Sequence, residues 1–301
     1  MSVSNKHILQ QGPVLKALAR TVLAVFLQKF TSRSKALLEI PSPEIRQTLP
    51  PRSMSLVQDY IQHLGGDPSY YKEELPPHLF PQWSLDLATR TSSKLPYPLT
   101  KVINGGCRLE MRQPLPMKEP LQLTARLVKL DDNGKRVVIH QKIVTGTSTH
   151  PDALTAYLYA VIPLKKKESD PAEKEVKKKE KPRVPADAKA IRSWELKADA
   201  GLDFAKLTGD FNPIHWIPSA AKAAGFKNTI LQGFASLAHS MDALIQLAAK
   251  EGKKITAFDV QFTRPLVLPA KVVLYLHVDQ QIYLGDSPGN EAYLVGTYAV
   301  E

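Results

Sequence analysis

The sequence is organised around one stretch, Leu207-Thr208-Gly209-Asp210-Phe211-Asn212-Pro213-Ile214-His215. Asparagine is a favoured helix N-cap, and proline is preorganised for the first position of a helix. The pattern therefore predicts a helix that begins at about Pro213 and ends at Gly225, since glycine readily adopts the left-handed conformation that stops a helix. Asp210 would precede this helix and His215 would lie in its first turn. We expect the two side chains to face one small volume and to bracket a water molecule.

The composition is that of a folded protein with a large core. The chain has 301 residues, of which 43% are hydrophobic, and such a length suggests about two domains. The single cysteine, Cys107, excludes a disulfide framework and is expected to be a small core residue. It also fits a reducing compartment, so we expect a cytoplasmic location. The histidines include no pair at the i, i+4 spacing of a helical metal site, and we expect no bound metal.

The positive charge is concentrated outside the expected folded cores. The formal net charge is +11, and residues 1–50 and 165–181 carry +5 and +3 of it. No recognition helix, aromatic RNA-binding motif or zinc finger accompanies these charges. A basic surface also attracts phosphorylated small ligands such as coenzyme A, or an acidic carrier protein. We therefore expect no nucleic-acid partner.

Residues 1–50 are expected to form a basic, amphipathic extension. The apolar segment from Val14 to Phe30 is too short and too charged to span a bilayer. Its helical stripe fits a helix that packs on the protein or, as the alternative, one that lies on a membrane surface. An irregular connection is then indicated by four prolines, Pro41, Pro43, Pro50 and Pro51.

Residues 51–164 are interpreted as a first α+β unit. A helix is predicted from Phe80 to Ser93, and Asp132-Asn133-Gly134 indicates a hairpin turn. Alternating and β-branched residues predict strands over 105–111, 121–127, 136–145 and 155–163. Residues 165–190 follow as a charged, flexible linker, because they hold too few apolar residues to offset the entropy of ordering a backbone.

Residues 191–301 repeat this plan as a second unit. A strand over 191–196 and a short helix over 200–207 lead into the opening stretch. A long apolar helix is predicted from Ala235 to Lys250 and ends at Gly252. Three final strands are predicted over 255–264, 271–279 and 292–300, with a hairpin turn at Ser287-Pro288-Gly289-Asn290.

The second unit resembles the MaoC-like enzymes, which are (R)-specific enoyl-CoA hydratases and 3-hydroxyacyl dehydratases. The resemblance is carried by residues 204–215, with their Gly-Asp-x-Asn-Pro-x-His pattern, by Ala223-Ala224-Gly225-Phe226 and by Gln232-Gly233-Phe234. It implies a double hot dog fold, in which two fused α+β units each wrap an antiparallel sheet around a long helix. In residues 51–164 the resemblance is only architectural, so we expect the catalytic motif in residues 191–301 alone.

The resemblance also implies roles for individual residues. Asp210 and His215 would activate water, Asn212 and Gly209 would support their loop, and the backbone N–H of Gly233 would hold the thioester carbonyl. Hydration of a conjugated thioester needs a base for water, an acid for the α-carbon and a donor for the enolate oxygen. An Asp/His pair and a helix N-terminus can supply these three functions. The apolar helix from Phe234 to Ala249 fits both a core helix and the wall of an acyl tunnel.

Two positions depart from the family pattern. Family members often have an acid two residues after the histidine, and many have a histidine before the glycine. This chain has Trp216-Ile217-Pro218 and Gln232 instead. We expect these positions to lie at the rim of the site, where they would affect the substrate range more than the chemistry.

The sequence thus predicts a hydro-lyase that acts reversibly on 2-enoyl and (R)-3-hydroxyacyl thioesters in lipid metabolism. Coenzyme A is favoured over acyl carrier protein as the carrier, and no further cofactor is expected. The two units suggest a monomeric pseudo-dimer or a homodimer. The alternatives are a hot dog thioesterase and a catalytically silent acyl-CoA binding or accessory subunit.

Overall fold

The computed structural model describes residues 3–12, 39–164 and 180–301. The predicted helix from Val14 to Phe30 and residues 165–179 of the predicted linker lie outside them. The α-helices of the described residues are α1 (Met54–His63), α2 (Pro81–Ser92), α3 (Ala200–Thr208), α4 (Pro218–Ala223) and α5 (Gly233–Lys250). The strands are β1 (Ile45–Leu49), β2 (Ile103–Met111), β3 (Leu121–Asp132), β4 (Arg136–Gly146), β5 (Leu154–Pro163), β6 (Lys189–Leu196), β7 (Ile255–Phe262), β8 (Ala270–Leu276), β9 (Gln281–Gly285) and β10 (Leu294–Val300).

These strands form one antiparallel sheet in the order β1-β3-β4-β5-β2-β7-β10-β9-β8-β6. The two halves meet where β2 pairs with β7, from Gly106 opposite Gln261 to Glu110 opposite Ala257. Each half contains five strands. Read from its outer edge, each half has its first, third, fourth, fifth and second strand in that order. The predicted duplication is therefore present in the topology, and the sheet is continuous through both units.

Two strands were not predicted. Ile45–Leu49 pairs with β3 at one edge of the sheet, so the prediction of an irregular connection between Pro41 and Pro51 was wrong for these residues. Proline is tolerated beside such an edge strand, where its missing N–H removes no ladder bond. Gln281–Gly285 pairs with both β8 and β10, so the C-terminal half ends in four strands instead of three.

The last part of the predicted linker is ordered. Val184 is buried, and its N–H donates to the carbonyl of Asn290 at 2.9 Å. Arg183 forms an isolated β-bridge with Glu291. Residues 182–184 therefore pack on the turn between β9 and β10, because burial of one valine and backbone pairing offset the ordering of this short stretch.

One helix lies against each half of the sheet. α5 is buried over most of its length and packs on β7 and β10. α2 is shorter and packs on β3 and β4 of the N-terminal half. Cys107 on β2 is fully buried in the hydrophobic core, as predicted. No helix among the described residues has the length and apolar character needed to cross a membrane.

A buried polar network joins α5 to the N-terminal half. Tyr71 donates to Asp242 Oδ1 at 2.7 Å and contacts His78 Nε2 at 2.8 Å, while the Tyr60 hydroxyl donates to the carbonyl of His78 at 2.8 Å. Arg192 approaches the second Asp242 oxygen at 3.7 Å. Because a buried carboxylate is costly without partners, these contacts fix where α5 lies against the N-terminal half.

Candidate active site

Asp210 is positioned by the end of α3. Gly209 adopts a left-handed conformation with φ of 85°, and its N–H donates to the carbonyl of Ala205. This is the conformation that glycine tolerates best, and it turns the chain sharply. Asp210 follows at once, with a partly buried side chain.

The helix predicted from Pro213 to Gly225 is divided into two pieces. Pro213–His215 form one turn of 3-10 helix, which Asn212 caps by accepting the N–H of Ile214 at 3.4 Å. Ile217 is extended, and α4 begins afresh at Pro218. A proline lacks the helical N–H and disfavours helical conformation in the preceding residue, which explains the break. Gly225 stops α4 with φ of 90°, as predicted.

His215 is held by a backbone carbonyl. Its Nδ1 lies 2.8 Å from the carbonyl oxygen of Ile230. A carbonyl oxygen can only accept, so the neutral ring carries its proton on Nδ1 and presents the lone pair of Nε2. Nε2 lies 3.9 Å from Asp210 Oδ2. The carboxylate and the imidazole thus converge as the motif predicts, and one water molecule beside them can bond to both.

Sequence reasoning missed Gly201, which lets α3 approach this histidine. A Cβ atom at Gly201 would collide with the carbonyl group of His215. The close approach fixes α3, which carries Asp210 at its end, against the turn that carries His215. A glycine inside a predicted helix is the signal that could have indicated such a contact.

Gly233 is the first residue of α5 and follows its N-cap, Gln232. No side chain of the described residues caps this end of the helix, and the first N–H groups of a helix have no partner within it. The helix dipole adds positive potential at the same place. A Cβ at Gly233 would lie 2.9 Å from the ring of Phe262, so close packing also favours glycine here.

The prediction that Gln232 lies at the rim was wrong, because its side chain is only 1% exposed. Its Nε2 donates to the carbonyl of Gly201 at 2.8 Å and approaches the carbonyl of Asp210 at 3.3 Å. Gln232 therefore ties α3 and the Asp210 backbone to the start of α5. Trp216 is half-exposed at the surface and donates to the carbonyl of Phe211.

Residues 172–290, which contain all of these groups, match the family model described as a MaoC like domain. The match covers less than half of the chain, and the similarity to a MaoC-like domain therefore lies in its C-terminal part. Peroxisomal multifunctional enzyme type 2 of Mus musculus is 27% identical over 177 residues, which cover 57% of this chain and 23% of that protein. The 3-hydroxyacyl-thioester dehydratase X of Mycobacterium tuberculosis is 24% identical over 190 residues, which cover 62% of this chain and 63% of that protein. The aligned region is thus less than two thirds of either relative.

Solved structures share the architecture of this chain. HtdX of Mycobacterium tuberculosis aligns with a TM-score of 0.67 at 17% identity, covering 85% of this chain and 99% of that one. Another protein of the same organism, described as having a double hotdog fold, aligns with a TM-score of 0.57 at 12% identity over 88% of this chain and 97% of that one. The predicted double hot dog fold is confirmed.

One cavity of about 510 Å³ is lined by every predicted site residue. Gly209, Asp210, Asn212, His215 and Gly233 all line it. Its volume is within the usual range for small-molecule sites, and its lining is mostly apolar with a few polar groups. The structure therefore brings the predicted residues to one end of an apolar pocket.

The other end of the cavity lies in the N-terminal half. One face of α2 lines it through Leu85, Ala88, Thr89 and Ser92, and strands β4 and β5 complete the wall. Only the first turn of α5 reaches the cavity, through Gly233, Phe234 and Ser236. The long helix is thus mainly a core helix, and the half without the motif supplies the wall that the sequence suggested for α5.

Asp/His pairs also occur outside the cavity, and the one on the sheet of the N-terminal half is the most useful for comparison. His140 Nε2 contacts Asp131 Oδ2 at 2.8 Å on β3 and β4, and both side chains are partly exposed. Neither residue is among those that line the cavity. This pair has the chemistry of Asp210 and His215 without their pocket, and it serves as a matched control.

Proposed function

We propose that this protein is a hydro-lyase that reversibly hydrates trans-2-enoyl thioesters to (R)-3-hydroxyacyl thioesters. The observation that carries the proposal is the convergence of Asp210, His215 and the N-terminus of α5 at one end of an apolar cavity. The R configuration rests on the resemblance to MaoC-like enzymes. The name of one relative, 3-hydroxyacyl-thioester dehydratase X, is consistent with an enzyme of this class.

The chemistry follows from the positions of the three groups. A water molecule bonded to Asp210 and His215 loses a proton to this pair as its oxygen attacks C3 of the enoyl group. The electron pair of the double bond moves toward the thioester oxygen, where the N–H of Gly233 and the dipole of α5 stabilise the developing charge. The pair then delivers the proton to C2, so that one water molecule supplies both the hydroxyl group and the hydrogen. Dehydration is the reverse sequence.

The carrier of the acyl group is proposed to be coenzyme A. An apolar cavity accepts the acyl chain, and the formal net charge of +11 favours an anionic carrier. Acyl carrier protein is the second carrier to test. We propose no other cofactor, since the groups above suffice for each proton transfer.

We propose further that one chain forms one site. The two halves share a single sheet through β2 and β7, so each half already has the neighbour that a hot dog unit needs. We expect such a pseudo-dimer to be a monomer in solution, with the mass of one chain.

Purified protein incubated with crotonyl-CoA tests the proposal. A hydratase removes the absorbance of the conjugated enoyl group and releases no free thiol. A thioesterase releases free CoA, and a silent binding subunit changes neither signal. Chiral analysis of the 3-hydroxyacyl product then tests the R assignment. Turnover of crotonyl-CoA that survives in Asp210→Asn would overturn the mechanism.

A further inference from the structure

Four polar side chains line the cavity in the N-terminal half, Thr89, Ser92, Asn104 and Gln141, and Gln141 is the one on β4. The residues of β4 that face α2 are Val137, Ile139, Gln141 and Ile143, and all four are buried. Gln141 is only 4% exposed, and it lines the cavity together with Ile139. A buried polar residue in an apolar row is a local conflict of the kind that often marks a functional position.

The strand neighbours of Gln141 do not solvate it. Leu127 on β3 and Leu158 on β5 lie directly opposite, and both are buried. Polar groups are expensive in such surroundings unless they form hydrogen bonds. The partners of Gln141 therefore lie on α2.

The amide nitrogen of Gln141 is used by α2. It donates to the carbonyl of Ala88 at 2.5 Å and to Thr91 Oγ1 at 2.6 Å. Because a carbonyl oxygen only accepts, the atom that faces Ala88 is the nitrogen, and the orientation of the amide is fixed. The amide oxygen then points away from these two partners.

The amide oxygen has no hydrogen-bond partner among the described residues. This oxygen is not fully enclosed by protein. Because Gln141 lines the cavity, the oxygen is accessible from within it. Water can bond to this oxygen when the cavity is filled with solvent. An alkyl chain that displaced the water would leave a buried acceptor unpaired, whereas a chain with a hydroxyl group at this depth would pair with it.

We propose that Gln141 is a specificity-determining residue that selects acyl chains carrying a hydroxyl group at the depth of its amide oxygen. The proposal rests on the proposed function, because the cavity must hold the acyl chain of the thioester. The hydroxyl groups of Thr89 and Ser92 already donate to backbone carbonyls of α2. The other lining residues of α2, β4 and β5 are apolar, so the rest of the chain is hydrocarbon. Gln141 acts on binding of the chain and takes no part in proton transfer.

The test uses medium-chain trans-2-enoyl-CoA substrates that carry one hydroxyl group at successive carbons, beside the unsubstituted chain of equal length. The preference of each protein is the kcat/KM for the hydroxylated chain divided by the kcat/KM for the unsubstituted chain. At one hydroxyl position, this preference should be about tenfold larger in wild type than in Gln141→Met. Methionine is close to glutamine in volume. In this variant Thr91 and Ser92 still donate to the carbonyl of Ala88, so that carbonyl is not left unpaired. The matched control is Ile139→Val, which enlarges the same wall without a polar change and should leave the ratio as in wild type.

A second arm measures binding alone. Saturated acyl-CoA compounds with and without the hydroxyl group cannot be hydrated, so calorimetry reports the role of Gln141 independently of catalysis. Binding that prefers the hydroxylated chain in wild type but not in Gln141→Met supports the subsite even if no hydration is found. Hydration without any Gln141-dependent preference overturns the subsite and leaves the proposed function standing. A protein that neither binds nor hydrates these thioesters overturns both.

Discussion

Asp210 Oδ2 and His215 Nε2 lie 3.9 Å apart at one end of a cavity of about 510 Å³. The separation is too large for a direct hydrogen bond and small enough for one water molecule to bond to both atoms. The His215 ring is oriented by the carbonyl of Ile230, and the Asp210 backbone is approached by Gln232. The short segment 230–232, just before α5, thus contacts both members of the pair.

We expect Asp210→Asn and His215→Ala each to lower kcat for enoyl-CoA hydration by about 10²–10⁴-fold, because each removes one proton-transfer group. Circular dichroism and thermal unfolding should show an intact fold, since both side chains line a cavity and leave the sheet untouched. The pair Asp131→Asn and His140→Ala provides the control, because it removes the same groups outside the cavity. Activity equal to wild type in either cavity variant would contradict the assigned roles.

Gly233→Ala should lower kcat/KM although its backbone N–H remains. The added Cβ would lie 2.9 Å from the ring of Phe262, which also lines the cavity. Overpacking of this kind costs roughly 1–3 kcal/mol. The double variant Gly233→Ala/Phe262→Leu should recover activity by providing space for the methyl group. Steady-state kinetics of the three proteins check this, and a double variant no better than the single one would place the cause elsewhere.

Gln232→Met should lower kcat by about tenfold while changing KM less, because a lost side-chain hydrogen bond of this kind costs on the order of 1 kcal/mol. The methionine cannot donate to the carbonyls of Gly201 and Asp210, so the backbone that positions Asp210 is released. Gln232→His keeps a donor and should retain more activity than the methionine variant. Equal kcat values in the two variants would show that the donor does not position Asp210.

Acid should destabilise the fold through two buried histidines. Burial lowers the pKa of His78 and of His239 to about 3. In the unfolded chain a histidine has a pKa of about 6.5, so below that pH the unfolded state binds more protons than the folded state. Stability should therefore fall as the pH decreases from about 6.5 toward 3, by about 2 kcal/mol for each histidine at pH 5.

Denaturant unfolding between about pH 7.5 and pH 5 measures this loss. His239→Gln should have a shallower pH dependence than wild type, because it removes one of the two groups. Burial raises the pKa of Asp242. At lower pH the folded protein therefore holds a proton on this carboxyl group that the unfolded chain has released, and this offsets part of the destabilisation by the histidines. A free energy of unfolding that is constant from neutral pH to pH 5 would contradict the prediction.

Local patterns in the sequence predicted most of the elements. The strands at 103–111, 136–146 and 154–163 follow alternating or β-branched runs, and α2 and α5 begin and end within two residues of the prediction. The strand Gln281–Gly285 was missed because five residues next to a turn carry little periodic signal. Ile45–Leu49 was missed because the flanking prolines indicated a loop, whereas pairing with β3 makes it an edge strand.

The sequence by itself determined the local geometry of the motif from Gly209 to His215, because neighbouring residues set most of it. Gly209 stops α3, Asn212 caps the next turn and Pro213 begins it, so neighbouring residues place Asp210 and His215 on the same side. The same local reasoning placed Gly233 at the start of a helix.

Only the tertiary structure decided what surrounds the motif. The cavity wall comes from α2 and β4, more than sixty residues before the motif, and no periodicity relates these segments to Asp210. Gln232 was expected at the rim and is buried, since its partners are backbone groups of α3 and of Asp210. Gln141 was predicted only as part of a strand. Packing of the two halves into one sheet brings it into the same cavity as the Asp/His pair, because contacts between distant segments are set by long-range burial and not by local backbone preference.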